Sequence, residues 1–158
     1  MTKFLLIIAA ISIPIYANIA CSQHKPNSQH TKKTKLDTLQ QQIMALHDNI
    51  MPQMSTIVNL RSQTNTIIDS LKPLKNQNQA IDSLQNNIQA LNQADTQMME
   101  WMYQYNEKSK KFDETDSTQL QKMLDYQLNA IIYVKNTMKE SIDLSNKHLQ
   151  KYNTKTNK

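Results

Sequence analysis

The chain contains no glycine among its 158 residues. Glycine supplies the positive φ angles of tight hairpins and nucleotide-binding turns, and it lets the backbone approach a phosphate closely. A phosphate-binding loop, a dinucleotide-binding fold or a hairpin-rich sheet is therefore not expected. The chain is instead rich in Gln, Asn, Lys, Leu, Ile and Met, a composition that suits long helices joined by polar turns.

Apolar residues recur at helical spacing in three segments, which span residues 36–74, 81–112 and 120–152. Pro52 lies inside the first segment and predicts a bend or a break there, because proline removes a backbone hydrogen bond. Pro73 is expected to end this first helix. The pattern thus predicts three long amphipathic helices.

Three such helices with short connectors predict an all-α fold, an up-down-up three-helix bundle that forms one domain over residues 36–152. Asp116 and Ser117 are both suitable N-caps for the third helix. Polar residues occupy two of the seam positions, Asp95 and Gln127. The alternative is an elongated coiled-coil oligomer, because the seams keep heptad spacing for several turns.

Cys21 is the single cysteine, and it follows a segment with the parts of a secretion signal: a charged Lys3, then an apolar run, then small residues. We therefore expect residues 1–20 to be a lipoprotein signal peptide and Cys21 to carry the lipid after cleavage. Asn18 stands where such signals usually have an aliphatic residue. Simple secretion and an uncleaved anchor are the alternatives.

Residues 22–35 contain no large apolar side chain and are expected to form, after the lipidated Cys21, a disordered tether. Residues 153–158 are expected to be a basic tail. The formal net charge is +5, and this excess of cations lies mainly in the tether and the C-terminal end. The basic residues are not interleaved with aromatic ones and include one arginine, so nucleic acid is not an expected partner.

Methionine, histidine and tryptophan form two clusters at helical spacing. The first cluster is Met44, His47, Met51 and Met54, and the second is Met98, Met99, Trp101, Met102 and Tyr105. The first cluster lies beside the apolar seam of its helix, not on it. A turn near residue 74 places residue i opposite residue 148 minus i, so the two clusters are predicted to meet, with His47 opposite Trp101.

Thioether and imidazole ligands suit the soft ion Cu(I), so the two clusters predict a candidate metal site. Its ligands are Met44, His47, Met51, Met98, Met99 and Met102. Trp101 would shield the ion, and Met54 and Tyr105 would contribute to the shield or to partner contact. Two other interpretations stay open: the methionines are flexible core filler, or they form a groove for a partner.

Catalytic motifs are not found in the sequence. The acidic loop at residues 113–116 lacks the ligand spacing and the glycine of a calcium-binding EF-hand, and a glycine-flanked nucleophilic serine is impossible without glycine. We therefore expect no enzyme and no cofactor, with Cu(I) as the alternative.

The segments HDNIMPQM (47–54) and MMEWMYQY (98–105) resemble motifs of short flavobacterial-type lipoproteins. These proteins are often labelled "viral A-type inclusion protein" through coiled-coil similarity alone. The matching patterns are H-D-x-x-M-P-x-M and M-x-W-M followed by an aromatic residue, within about residues 36–149. The resemblance implies a helical lipoprotein and no established activity.

Together these features predict a membrane-anchored lipoprotein of the bacterial cell envelope. The expected location is the outer membrane, with the protein facing the periplasm. Its partners would be the membrane, through the lipid, and an envelope protein. The expected role is structural or interactive, with no catalysis. The alternatives are a Cu(I)-binding accessory lipoprotein and an envelope tether, for which the terminal Lys158 would be the attachment residue.

Overall fold

The computed structural model describes residues 28–156, with side chains described for residues 33–152. Four helical segments follow one another: α1 (Ser28–Ile50), α2 (Gln53–Leu71), α3 (Asn78–Ser109) and α4 (Ser117–Thr156). α1 and α2 are the two parts of one bent helix, and the described range contains no strand. The predicted all-α bundle of three long helices is therefore confirmed.

The bend lies at Pro52, as the sequence predicts. Met51 still donates its amide to the carbonyl of His47, at 2.9 Å, which completes the last turn of α1. Pro52 then stands at the N-cap of α2 with a φ of −59°. Because proline has no amide hydrogen, the ladder of backbone hydrogen bonds stops here and restarts in α2.

The turn between α2 and α3 is built without glycine. α2 ends at Leu71, and Pro73 follows its C-cap, so the predicted end of the first long helix is confirmed. Asn76 takes a φ of 63°, and among the described residues it is the one with positive φ. Asparagine tolerates this left-handed conformation better than most residues do, because its short side chain can form local hydrogen bonds.

The turn between α3 and α4 ends at a side-chain cap. Asp116 Oδ1 accepts the amide of Thr118 at 2.8 Å, and the Asp116 carbonyl accepts the amide of Leu120 at 2.9 Å. Asp116 is therefore the N-cap of α4, one of the two residues predicted for that position. Phe112, predicted to extend the second helix, lies in this turn, and its side chain is buried.

The helices extend further than predicted at both ends of the described chain. α1 begins at Ser28, so residues 28–35, predicted as disordered tether, form its first two turns. α4 continues to Thr156 and includes much of the predicted basic tail. Polar residues with ordinary helix propensity continue a helix that the buried Leu36 already anchors, so apolar periodicity alone underestimates its length. Cys21 and residues 1–20 lie outside the described residues.

The core follows the predicted stripes. Its largest fully buried apolar side chains are Ile43, Ile57, Leu84, Leu91, Met98, Leu124, Ile131 and Met138. Gln127 is also fully buried, at the seam position that the sequence assigns to it. Asp95, the second polar seam residue, accepts a hydrogen bond from Arg61 Nη1 at 3.1 Å, and the same nitrogen donates to Asn92 at 2.6 Å.

The helices do not pack equally closely. α4 packs against α1, α2 and α3, and α2 also packs against α3, whereas the backbones of α1 and α3 approach each other less. The bend at Pro52 allows this difference, because it changes the direction of the first long helix between its two parts. Among the described helices, none is long and apolar enough to cross a membrane.

Candidate functional site

Large aromatic side chains link α1 to α3 where the two backbones stay apart. The His47 ring stacks on the Trp101 ring with centroids 5.7 Å apart and planes 29° from parallel. Trp101 stacks in turn on Tyr105, at 5.2 Å, and the edge of Tyr105 meets Phe112 at 6.0 Å. We call these four residues the aromatic row. The stack of His47 on Trp101 confirms the predicted register of the two helices.

Trp101 holds a fixed place within this row. It is only 5% exposed, and its Nε1–H donates to the backbone carbonyl of Gln127 on α4, at 3.3 Å. The indole is thus stacked between rings of α1 and α3 and hydrogen-bonded to α4. A buried indole N–H needs such an acceptor, since an unpaired one would lose its hydrogen bond to water. Trp101 therefore connects all three long helices.

His47 is oriented by its neighbour in the chain. Its Nδ1 lies 2.9 Å from Asp48 Oδ1, and its side chain is 17% exposed against 74% for Asp48. Since an ionised carboxylate can only accept, Nδ1 carries the hydrogen that it donates. In the neutral ring, Nε2 then keeps its lone pair. A carboxylate bound to one ring nitrogen while the other nitrogen faces a metal is a recurrent arrangement in metal sites.

The methionines of the two clusters divide by exposure. Met98 is fully buried in the core, and Met51, Met54 and Met102 are partly buried and pack against the core. Met44 and Met99 are 39% and 55% exposed. The buried and half-buried methionines fill core space, as the packing interpretation requires. The exposed pair is accessible to an ion or to a partner.

The surroundings of Tyr105 are partly apolar, because it lies between Trp101 and Phe112 in the aromatic row. Burial raises the pKa of the Tyr105 phenol above its ordinary value. The group thus stays neutral and can act as a shield or as a hydrogen-bond donor at neutral pH.

The described residues contain no cluster of three or more His, Cys, Asp or Glu side chains close enough to hold a metal ion. The predicted Cu(I) site uses thioethers and His47 instead. Such ligands suit Cu(I) and do not suit Mg²⁺ or Ca²⁺, which require oxygen ligands. The predicted Cu(I) site stays a prediction, with His47 as its single nitrogen ligand.

Two features of the surface were not anticipated from sequence. One is the pair of hydrogen bonds from Arg61 across to α3. The other is the pair of exposed tyrosines on α4, Tyr126 and Tyr133, which are 58% and 60% exposed. Their spacing of seven residues is visible in the sequence and places them on one face of a helix.

Comparisons with protein-family models, with curated proteins and with solved structures give no match for this chain. The resemblance to flavobacterial-type lipoproteins stays a prediction.

Proposed function

We propose that this protein is a lipid-anchored helical lipoprotein of the bacterial envelope, in the outer membrane and facing the periplasm. Its bundle serves as a structural or protein-interaction module and performs no catalysis. The observation that carries the proposal is Cys21 behind a signal-like segment. α1 begins at Ser28, so six residues separate the lipid from the first helical turn. Six extended residues span about 20 Å at most, which holds the bundle close to the bilayer surface.

The surface of the bundle supports an interaction role. Tyr103, Tyr126 and Tyr133 are all more than half exposed, and Met99 and Leu74 are each 55% exposed. Tyrosine and methionine are enriched in protein interfaces, where they provide a large contact area. A bundle tied to a membrane presents these side chains to partners that reach the same surface.

Mass spectrometry of the protein purified from its native membranes tests the anchor. The mature N-terminus is expected at Cys21 with a diacylglycerol and fatty acyl groups attached. The variant Cys21→Ser is expected to lose this mass and to leave the membrane fraction. An unmodified Cys21 in the membrane fraction would reject the anchor.

A Cu(I)-binding accessory role is the second candidate, and the geometry of His47 favours it. The bond from Nδ1 to Asp48 leaves Nε2 to bind a soft ion. Trp101 stacks on the same ring and would cover the ion from one side. The proposed ligands are those that the sequence predicts: the buried Met98, the partly buried His47, Met51 and Met102, and the exposed Met44 and Met99.

An anaerobic Cu(I) titration with a competing chelator tests this role, with Trp101 fluorescence as the signal. Binding with fixed stoichiometry and quenching of Trp101 are expected in the parent protein. His47→Gln and Met51→Leu should each weaken the affinity, whereas Met123→Leu, a partly buried methionine of α4, should not. Equal affinities in all three variants would reject this site.

Sedimentation velocity separates these roles from the envelope tether. A tether with a trimeric seam would sediment as an elongated trimer. The break between α1 and α2 at Pro52 favours a compact particle instead.

A further inference from the structure

The two parts of the bent helix bury side chains at different spacings. The buried side chains of α1, among those described, are seven residues apart: Leu36, Ile43 and Ile50. Those of α2 are three or four residues apart: Ile57, Leu60, Thr64 and Ile68. Because a helix turns once in 3.6 residues, α2 buries one side chain in each turn, whereas α1 buries one in every second turn. The contact that holds α1 to the bundle is therefore the narrower one.

The neighbours of α1 also differ from those of α2. α2 packs against both α3 and α4, whereas α1 packs closely against α4 and its backbone stays apart from that of α3. His47 is the one member of the aromatic row that α1 contributes, and its ring stacks on Trp101 of α3. The stack of these two rings is therefore the aromatic contact that links α1 to α3.

Open cavities lie along both flanks of α1. Towards α3, a cavity of about 430 Å³ lies between Leu36 and Phe112, which is in the turn before α4. Towards α4, cavities of about 280, 520 and 290 Å³ follow one another from Lys35 to Gln53. Side chains at such cavities contact water in place of other side chains, so they contribute less to packing than a closed interface does. α1 is thus the loosely packed part of the bent helix.

The backbone is interrupted where α1 meets α2. Met51 donates its amide to the carbonyl of His47, and Met54 donates to the carbonyl of Met51. Pro52 has no amide hydrogen to donate. Among the described residues, no backbone hydrogen bond therefore joins α1 directly to α2. A rotation about the backbone at Met51 and Pro52 breaks no bond of the helical ladder of α2.

We propose that α1 is a hinged arm, which swings away from α3 and α4 as one unit about Met51 and Pro52 while α2, α3 and α4 stay packed. Elements with few buried contacts open at a lower free energy than the whole domain does. Opening uncovers Trp101, which keeps its hydrogen bond to α4. α1 has 23 residues and is about 35 Å long, so the rest of the bundle moves a long way relative to the N-terminal segment. The movement itself does not depend on a lipid at Cys21.

Hydrogen–deuterium exchange of the full-length protein in detergent, followed by mass spectrometry, tests the hinge. The amides of α1 are expected to share one protection factor as far as Ile50, at least about tenfold lower than that of α2. Fraying from the start of α1 would instead give protection that rises steadily along the helix. Pro52→Ala supplies the missing amide hydrogen and should raise the protection of α1 towards that of α2. Pro73→Ala, in the exposed turn after α2, is the control and should leave α1 unchanged.

Replacement of His47 tests the contact that holds the arm closed. His47→Ala removes the stack on Trp101 and should lower the protection of α1 about threefold to tenfold, with α2 unchanged. His47→Phe keeps a ring at this position and should restore most of the protection. Gln41→Ala is the matched control, since Gln41 is an exposed residue of the same helix. Circular dichroism confirms that all variants fold.

Each outcome decides for or against the hinged arm. A step in protection at Pro52, removed by Pro52→Ala, together with a loss in His47→Ala that is confined to α1, supports it. Equal protection of α1 and α2 in the parent protein overturns it, and so does a steady gradient along α1. A loss spread equally over α1 and α2 in His47→Ala also overturns it, because the bent helix would then open as a whole. The lipid on Cys21 is measured separately by mass spectrometry, so failure of the hinge leaves that result unaffected.

Discussion

Replacement of Gln127 by methionine is expected to stabilise this protein. The Gln127 side chain is fully buried, and neither its Nε2 nor its Oε1 has a hydrogen-bond partner among the described residues. Leu124 and Ile131, one helical turn away on each side, are fully buried as well. Methionine has nearly the length and shape of glutamine, so the change keeps the core volume and removes the unpaired amide.

The size of the gain follows from the cost of burying an unpaired polar group, about 1–3 kcal/mol. The two unpaired atoms of Gln127 belong to one amide, so we expect a gain of about 2 kcal/mol for the whole side chain. For a slope of about 2 kcal/mol per molar urea, the unfolding midpoint moves upward by about 1 M. The hydrogen bond from Trp101 is kept, because its acceptor is the backbone carbonyl of residue 127.

Urea unfolding followed by far-ultraviolet circular dichroism and by Trp101 fluorescence measures this gain. Gln119→Met provides the control, since Gln119 is an exposed residue of α4. The control should change the free energy of unfolding by no more than about 0.5 kcal/mol. If Gln127→Met instead lowers stability by about 1 kcal/mol or more, the amide is paired in the folded protein and the reasoning is wrong.

Three further changes test the fold. Asp116→Ala removes the N-cap of α4 and should cost about 1 kcal/mol in urea unfolding, whereas Asp113→Ala, in the same turn, should cost little. Arg61→Met should lower the free energy of unfolding by about 1 kcal/mol, because it leaves the half-buried Asp95 without its cation. Adding Asp95→Leu to this variant should recover most of the lost stability. If the effects of the two single variants simply add in the double variant, Arg61 and Asp95 are not coupled. Burial raises the pKa of the Tyr105 phenol in the folded protein above its value of about 10 in the unfolded chain. The contribution of this group to stability is therefore complete below the pKa of the unfolded chain, and it is lost as pH rises through the pKa of the folded protein. When the pH is raised from about 9 to about 11, the free energy of unfolding should therefore fall less in Tyr105→Phe than in the parent protein. An equal fall in both proteins would contradict the raised pKa.

The parts of the fold that the sequence predicts well are those with a strong local cause. Pro52 has no amide hydrogen, so the break between α1 and α2 follows from covalent structure alone. Asp116 precedes an apolar-periodic segment and caps α4 as expected. The meeting of His47 with Trp101 follows from counting residues on both sides of one turn, because each helix advances by a constant rise.

The sequence predicts helix ends and surface pairs less well. Residues 28–35 carry no apolar stripe, yet they continue α1, since extending an existing helix is far easier than starting one. Tyr126 and Tyr133 share a helix face by their spacing alone. Only the packing of α4 beside α3 shows that this face borders Gln97 and Glu100. Contacts between distant helices depend on rotation about each axis, and apolar periodicity does not fix that rotation closely.

The contacts of Trp101 bear on how a Cu(I) titration would be interpreted. Its ring is stacked between His47 and Tyr105, and its Nε1–H is hydrogen-bonded to the carbonyl of Gln127 on α4. An ion bound at His47 therefore cannot shift the ring without losing a stacking contact or straining the bond to α4. The indole is thus expected to keep its position when the ion binds. Quenching of Trp101 would then report the ion beside the ring, and not a movement of the indole.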